Sequence, residues 1–395
     1  MTGCPRMTPR RCWRGPTAMA ELAPLRFTGA EILLPDGFAP GALSLAGGRI
    51  TGDGGREIDL SGYRILPGII DLHGDGFERH MAPRRGAVNH PAAGLAGLDA
   101  ECGASGITTA VLAQFWSWEG GMRSPDFSVK LAEALAAART LTEMRLQLRV
   151  ETHMIDTFDA MCALAARQGI GYVVWNDHLP HAQLAAGKPP PRLTGQALKA
   201  GRSPEAHARL LRDLHANGPA VEAALARAAA ALLRQGVRMG SHDDRTPGDR
   251  ARFRALGASI CEFPETRAAA EAATAAGEPV IMGAPNVVRG GSHDGKVPAE
   301  ALIEAGLVDA LVSDYHYPAL ARAAAKLAGR VGWPAAWGLV SAGPARVMGW
   351  ADRGHIGEGM RADLVIMGPD GRIEGTIAGG RVSHLSGALA ARMLA

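Results

Sequence analysis

The sequence predicts an α/β fold: a (β/α)8 TIM barrel carrying a small β-sandwich domain built from both termini. Three observations lead there. Eight short apolar runs follow Pro67, each ending in polar or ionisable residues. Ala- and Leu-rich helical patterns separate most of them. The two flanking segments read instead as short strands broken by turns. Strands alternating with helices imply parallel βαβ units, and eight such units close into a barrel of about 250 residues.

The runs are GIIDLH to His73, GITTAVLAQ to Gln114, RLQLRVETH to His153 and GYVVWNDH to His178. GVRMGSHDD to Asp244, GASICEFP to Pro264, PVIMGAPN to Asn286 and VDALVSDYH to His316 complete the set. Between them, SPDFSVKLAEALAAARTL opens on a Ser/Asp cap signal and keeps helical spacing. PAVEAALARAAAALLRQG has Pro at its start and Gly236 at its end, which brackets a helix. TRAAAEAATAAG is a third helical pattern. Residues 67–354 are assigned to the barrel, and residues 21–66 plus 355–395 to the composite β-domain. Residues 181–217, with GKPPPR inside, form a long polar insertion between units four and five, the kind of segment that is usually a lid or disordered. Residues 1–20 are basic, rich in Pro and without an apolar stretch of export-signal length; they are expected to be a disordered tail.

Composition narrows the function classes. The chain has 395 residues, 47% hydrophobic and 21% charged, normal for a protein with a sizeable core. A net charge of +3 gives no reason to expect nucleic acid or a membrane surface as partner. Five widely spaced cysteines with no C-x-x-C argue against a disulfide framework or a structural zinc site and fit a reducing, cytoplasmic setting.

The chemistry is expected where barrel strands end. His73, Asp75, Glu151, His153, Asp177, His178, His242, Asp243, Asp244, Glu262 and Asp314 stand there, drawn from six of the eight runs. One histidine at a strand end would be a packing residue. A ring of like-charged carboxylates repels itself unless a cation joins them. Imidazoles and carboxylates together suit Zn²⁺, Fe²⁺ or Mn²⁺. In His73-x-Asp75 both side chains share one face of an extended segment, so the pair can grip one ion.

These residues and their frame resemble the amidohydrolase superfamily: LPGIIDLH at strand one, SGITTA at strand two, an aspartate in SDY at strand eight, then GHIGEGMRADLVI. Within it, SHDD, EFPET, MGAPNVVRGGSHDGKV and LVSDYHYPALARAA are similar to the α-D-ribose 1-methylphosphonate 5-triphosphate diphosphatase family of phosphonate utilisation. The resemblance covers roughly residues 25–383, and His-x-Asp at strand one is that family's form. LAQFWSWEGGMRSPD after strand two and GFERH after the metal pair depart from its pattern.

The resemblance implies a metal-dependent hydrolase with one or two divalent ions. His73, Asp75 and Asp314 would hold one, His178 and His242 the second, and Glu151 would bridge; Glu262 could replace His178. Asp314 would be the catalytic base that takes the proton from water and returns it to the leaving group. Asp243 or Asp244 would orient a ligand. The small phosphorylated substrate would be a ribose 5-triphosphate that loses diphosphate. Asn286, Arg289, Gly290, Gly291, Ser292 and His293, in the segment after strand seven, would hold phosphate, with Lys296, Arg245, Arg84 and Arg85 as weaker candidates. Trp116, Trp118 and Tyr315 could stack on a sugar or base. The alternatives are an amidohydrolase cleaving a C–N bond, towards which the FWSWEGG loop points, and a barrel whose site has decayed into a binding module. A homodimer is expected only by analogy with other barrel enzymes.

Overall fold

A computed structural model describes residues 22–84, 90–291 and 295–395. The expectations for the tail at 1–20 and for Arg85, Ser292 and His293 fall outside the described residues.

The strands form two sheets of eight. The first is built from β1 (Leu25–Leu34), β2 (Gly37–Ala46), β3 (Arg49–Thr51), β4 (Arg56–Asp59) and β5 (Arg64–Pro67) at one end of the chain. The other end supplies β14 (Leu364–Met367), β15 (Ile373–Ala378) and β16 (Arg381–Leu385). The order is β16-β15-β14-β5-β1-β2-β3, with β4 also on β1. The two chain ends meet in the antiparallel pairing of β5 with β14, Leu66 opposite Val365. Phe27, Ile32, Leu45, Ile65, Leu364 and Ile377 form its core.

The motif Leu66-Pro67-Gly68 is the junction between the sheets. Pro67 ends β5, and β6 (Ile69–Gly74) starts two residues later. A Cβ on Gly68 would lie 2.4 Å from Thr108 Oγ1 and 2.9 Å from Asp363 Cβ, so only glycine lets the chain pass between the barrel and β14.

The second sheet holds β6, β7 (Ile107–Trp116), β8 (Glu143–Glu151), β9 (Tyr172–Asn176), β10 (Arg238–His242), β11 (Ile260–Glu262), β12 (Val280–Gly283) and β13 (Ala310–Val312). All neighbours are parallel and follow chain order. A parallel bridge between Gly74 and Asp314 brings the last strand back to the first. Asp314 N–H donates to His73 O at 2.9 Å, and Asp75 N–H to Asp314 O at 2.8 Å. Buried Asp71 clamps the seam, accepting from the Ser313 N–H at 3.0 Å and its hydroxyl at 2.5 Å. The barrel closes, then, through residues that neighbour the expected metal ligands.

Helices Pro125–Ala137, Gly218–Arg234 and Arg267–Ala275 stand where the spacing predicts them. Ser124 and Thr266 cap two of them by accepting the Phe127 and Ala269 N–H groups. The insertion is not a polar loop: it folds into helices His181–Ala185, Leu193–Lys199 and Pro204–Ala216. The last buries Leu211 and Leu214 against Trp118 and Leu179. Among the described residues, no helix is long and apolar enough to cross a membrane.

One barrel strand breaks the rule that parallel strands are apolar on both faces. Met144, Leu146, Leu148 and Val150 of β8 face the helices. The alternate residues are Glu143, Arg145, Gln147, Arg149 and Glu151, so one charged or polar stripe runs along the inside of the barrel.

Candidate active site

The strand ends gather the expected residues at one mouth. β6 delivers His73, β8 Glu151, β10 His242 and β11 Glu262; Asp75, His178 and Asp314 follow their strands by one or two residues. The ring centroids of His73 and His242 are 5.4 Å apart, and those of His242 and His178 6.5 Å. Ligand atoms of His73, His242 and Glu262 lie within 4.8 Å of one another. The carboxylate that closes with these two histidines is therefore Glu262, whereas Glu151 pairs with His178.

Glu262 is fully buried, and its partners explain how. Its Oε1 accepts from Gln147 Nε2 at 2.7 Å and from the Tyr172 hydroxyl at 2.5 Å. Its Oε2 is 2.8 Å from His73 Nδ1. Burial would raise this carboxyl, but the contact with His73 and the hydrogen bonds from Gln147 and Tyr172 outweigh it and hold the group below its ordinary range. The network assigns the proton to His73 Nδ1, which donates to Glu262. His73 Nε2 is then a lone-pair atom, buried and without a hydrogen-bond partner. A carboxylate behind an imidazole with its other nitrogen unpaired is the usual arrangement around a metal-binding histidine.

His242 is similar. Its Nδ1 lacks a hydrogen bond, because Asp243 Oδ2, though 3.1 Å away, is not in bonding geometry. Burial and the Arg149 charge push the ring down to about 4, so it is neutral and free to ligate. Glu151 is almost fully buried: its Oε1 is 2.6 Å from His178 Nδ1, and its Oε2 accepts the His178 N–H at 3.0 Å and Trp118 Nε1 at 3.3 Å. Asp314 is raised to about 6, by burial first and then by the charge of Asp75; His73 and Arg149 pull the other way. Unpaired imidazole nitrogens and crowded carboxylates are a donor set that fits a divalent cation.

Arg149 is the site residue that the strand-end reading overlooks. It is 6% exposed, its guanidinium lies 4.2 Å over the Phe115 ring, and its Nη1 is 3.8 Å from Asp75 Oδ2. The signal was the polar alternation in RLQLRVE, which has no place in an ordinary parallel strand. Phe263 was missed too. Its ring packs 5.1 Å from His73 and 4.8 Å from His242, walling the pair off from water.

Three of the four described non-glycine residues with positive φ sit here: Asp243 (62°), Phe263 (50°) and Asp314 (55°). Asp243 and Phe263 directly follow His242 and Glu262, the last residues of their strands, and Asp314 comes two residues after β13. Such conformations cost of order 1–3 kcal/mol each and persist where packing imposes them.

The expected phosphate residues divide. A cavity beside the ligands is lined by Asp243, Asn286, Arg289, Lys296 and Asp314, with Phe263 as its floor. Arg289 and Lys296 thus share one recess with the expected base. Arg289 Nη1 donates to the Tyr315 hydroxyl at 2.8 Å, and Lys296 reaches Asp243 at 3.3 Å and Glu265 at 2.8 Å. The Gly290 and Gly291 amides are engaged elsewhere. Ala284–Arg289 is a helix, Gly290 is its left-handed cap (φ 80°), and both glycine N–H groups donate to Asn286 O. A cap, not an anion nest, is what those glycines form. Asn286 Oδ1 accepts the Ala299 N–H. Arg245 is mostly exposed and pairs with Glu265 at 2.7 Å, and Arg84 is exposed.

Two further expectations are corrected. Trp116 is buried among the barrel helices, its Nε1 donating to Thr157, and Trp118 packs under the insertion, so neither presents a stacking face. Asp244 points away from the mouth, to Ser241 at 2.5 Å and Arg250 at 3.1 Å, leaving Asp243 as the neighbour of His242. His153 and Asp177 join a separate cluster with His181.

No family model matches the chain. It is 36% identical over 328 residues to α-D-ribose 1-methylphosphonate 5-triphosphate diphosphatase of Escherichia coli K12, covering 78% of this chain and 84% of that protein. The chain belongs to that family. Solved structures place the family fold among amidohydrolases. N-acetylglucosamine-6-phosphate deacetylase from Pasteurella multocida aligns with TM-score 0.61 at 12% identity, covering 91% of this chain and 99% of that one. A triazine hydrolase variant aligns with TM-score 0.60 at 15% identity, over 92% and 96%. At such identities these two show the fold alone. As a member of the diphosphatase family the chain is a hydrolytic enzyme, and its fold is that of these hydrolases.

Proposed function

We propose that the chain hydrolyses α-D-ribose 1-methylphosphonate 5-triphosphate to ribose 1-methylphosphonate 5-phosphate and diphosphate. The observation that carries this reading is the single recess in which Arg289, Lys296 and Asn286 face Asp314. A C–N hydrolase of a neutral substrate has no use for two cations beside its base; a triphosphate does.

His73, Asp75, His178, His242 and Asp314 would hold one or two divalent ions, with Glu262 fixing His73 and Glu151 fixing His178. Such ions supply charge neutralisation on phosphoryl oxygens and a more acidic water. The remaining work falls to side chains of the chain. Arg289 forms charge-assisted hydrogen bonds to the outer phosphates, and Lys296 adds a point charge that can turn from Asp243 to the substrate. Asp314, with its carboxyl near 6, accepts the proton of the attacking water and returns it to the leaving oxygen. Phe263 and the insertion over Trp118 keep bulk water from the ligand side, which strengthens each of these interactions.

The test is diphosphate release by manganese- or zinc-loaded protein from the phosphonate ribotide, with ATP and a simple cyclic amide as controls. Release from the ribotide alone supports the reading. Turnover of the amide without diphosphate release from any triphosphate overturns it in favour of C–N bond hydrolysis.

A further inference from the structure

A second group of metal-ligating side chains lies outside the mouth set. We propose that His153, Asp177 and His181 form a distinct site for a divalent transition metal, which pins the helical insertion to the strand-end loops. Ligand atoms of the three lie within 4.8 Å of one another. His181 Nε2 is 3.0 Å from both Asp177 oxygens, and His153 Nδ1 is 3.6 Å from Asp177 Oδ2. Two metal bonds of ~2.1 Å at a tetrahedral angle hold their donor atoms about 3.4 Å apart, so little movement is needed to admit an ion. His153 Nδ1 also lies 3.2 Å from Thr152 Oγ1, a contact that a metal would replace.

The second nitrogen of His181 is accounted for. Its Nδ1 is 2.8 Å from His215 Nδ1, so one ring must donate to the other. Here Nε2–H of His181 donates to Asp177 and Nδ1 accepts from His215; an ion entering between Nε2 and Asp177 would displace that proton, and Nδ1–H of His181 would then donate to His215 Nδ1. His215 then fixes the tautomer and tilt of a metal ligand, as partners behind such histidines do. Two imidazoles and one carboxylate leave at least one position for water and suit Zn²⁺ or another first-row divalent ion.

The placement explains what such an ion would do. His153 stands two residues after Glu151, and Asp177 directly precedes His178. His181 begins the first insertion helix, and His215 lies in the last turn of the third. The three ligands come from the loops that carry Glu151 and His178 and from the insertion itself. An ion here would lock those loops and the cover over Trp118 together. The inference does not depend on the reaction at the mouth.

The experiment counts Zn²⁺ bound to chelator-stripped protein after removal of free metal, with cobalt absorption as a second readout. The His73→Asn/His242→Asn variant, which disables the mouth, is expected to keep one zinc equivalent. Adding His181→Asn should remove that equivalent or weaken it at least tenfold. His181 is about one-third exposed, so its replacement does not threaten the fold. Zinc should also slow proteolysis within residues 181–217 of the mouth variant, and not when His181→Asn is added. Absence of zinc from the mouth variant, or equal zinc affinity with and without His181→Asn, overturns the site. Zinc binding without protection of the insertion overturns the pinning role.

Discussion

The two ends of strand β8 bury the same residue type in different surroundings. Glu143 at its start is 2% exposed and Glu151 at its end 1%. Glu143 meets Arg353 at 2.7 Å, Arg145 at 2.6 Å and Arg361. Burial would raise its carboxyl, but those three cations hold it down at about 2. The mouth has no such surplus. Asp75, Glu151, Asp243, Glu262 and Asp314 converge there with Arg149 and Lys296, Asp314 is pushed up to about 6, and His73 Nε2, His242 Nδ1 and Arg149 Nε stay unpaired. Charge that the protein neutralises from within serves stability; charge left uncompensated in a strained pocket is there for something that binds.

The sharpest way to break this comparison is to exchange the outcomes. Asp314→Asn should lower kcat by ~10²–10⁴-fold while thermal unfolding stays close to wild type, as calorimetry beside steady-state kinetics would show. A variant that loses stability instead would make the mouth a structural cluster like the other end. Glu143→Ala should do the reverse. Removing the carboxylate that Arg353 and Arg361 share, while they keep Asp352 and Asp363, costs roughly 3 kcal/mol in denaturant unfolding, with kcat of the folded fraction unchanged.

A pH series sharpens the same contrast. The Glu143 carboxyl falls from 4.5 to about 2 on folding, so its contribution is fully present above pH 4.5 and is lost as pH drops towards 2. The stability advantage of wild type over Glu143→Gln should be roughly 3 kcal/mol at neutral pH and vanish near pH 2. An advantage that persisted at pH 2 would mean the arginines do not set that carboxyl. The smallest effect is expected on the substrate side. Arg289→Ala should raise KM by roughly 10- to 100-fold, from the loss of about 1.5–3 kcal/mol of charged hydrogen bonding, with kcat little changed. An unchanged KM would move the phosphates away from the helix Ala284–Arg289.

What could be read along the chain was whatever depends on neighbours in sequence. His73, His242 and Asp314 stood out because each ends or follows an apolar run, and the run length places them. Asp75 came with His73. Arg149 did not stand out, although alternation in RLQLRVE marked it, because an arginine in a strand is ordinarily assigned to solvent. Gly290 and Gly291 looked like an anion nest because glycine pairs suit several turns; only the helix before them shows that their N–H groups are used. Trp116 and Trp118 suggested a stacking surface, and their burial could not be known without the insertion that covers Trp118.

The sequence by itself determined the alternation of strands and helices, the composite sheet of the two chain ends and the end of the barrel at which ionisable residues gather. These follow from periodicity and from turn residues such as Gly68, which act over a few positions. The tertiary structure decided which carboxylate serves which histidine, that Glu262 rather than Glu151 stands behind His73, and that His153 and Asp177 leave the mouth to join His181. Glu262 and His73 are 189 positions apart, and Asp177 and His153 are 24. Charge and hydrogen bonding act over a few ångströms, and only closure of the barrel brings such residues within that range.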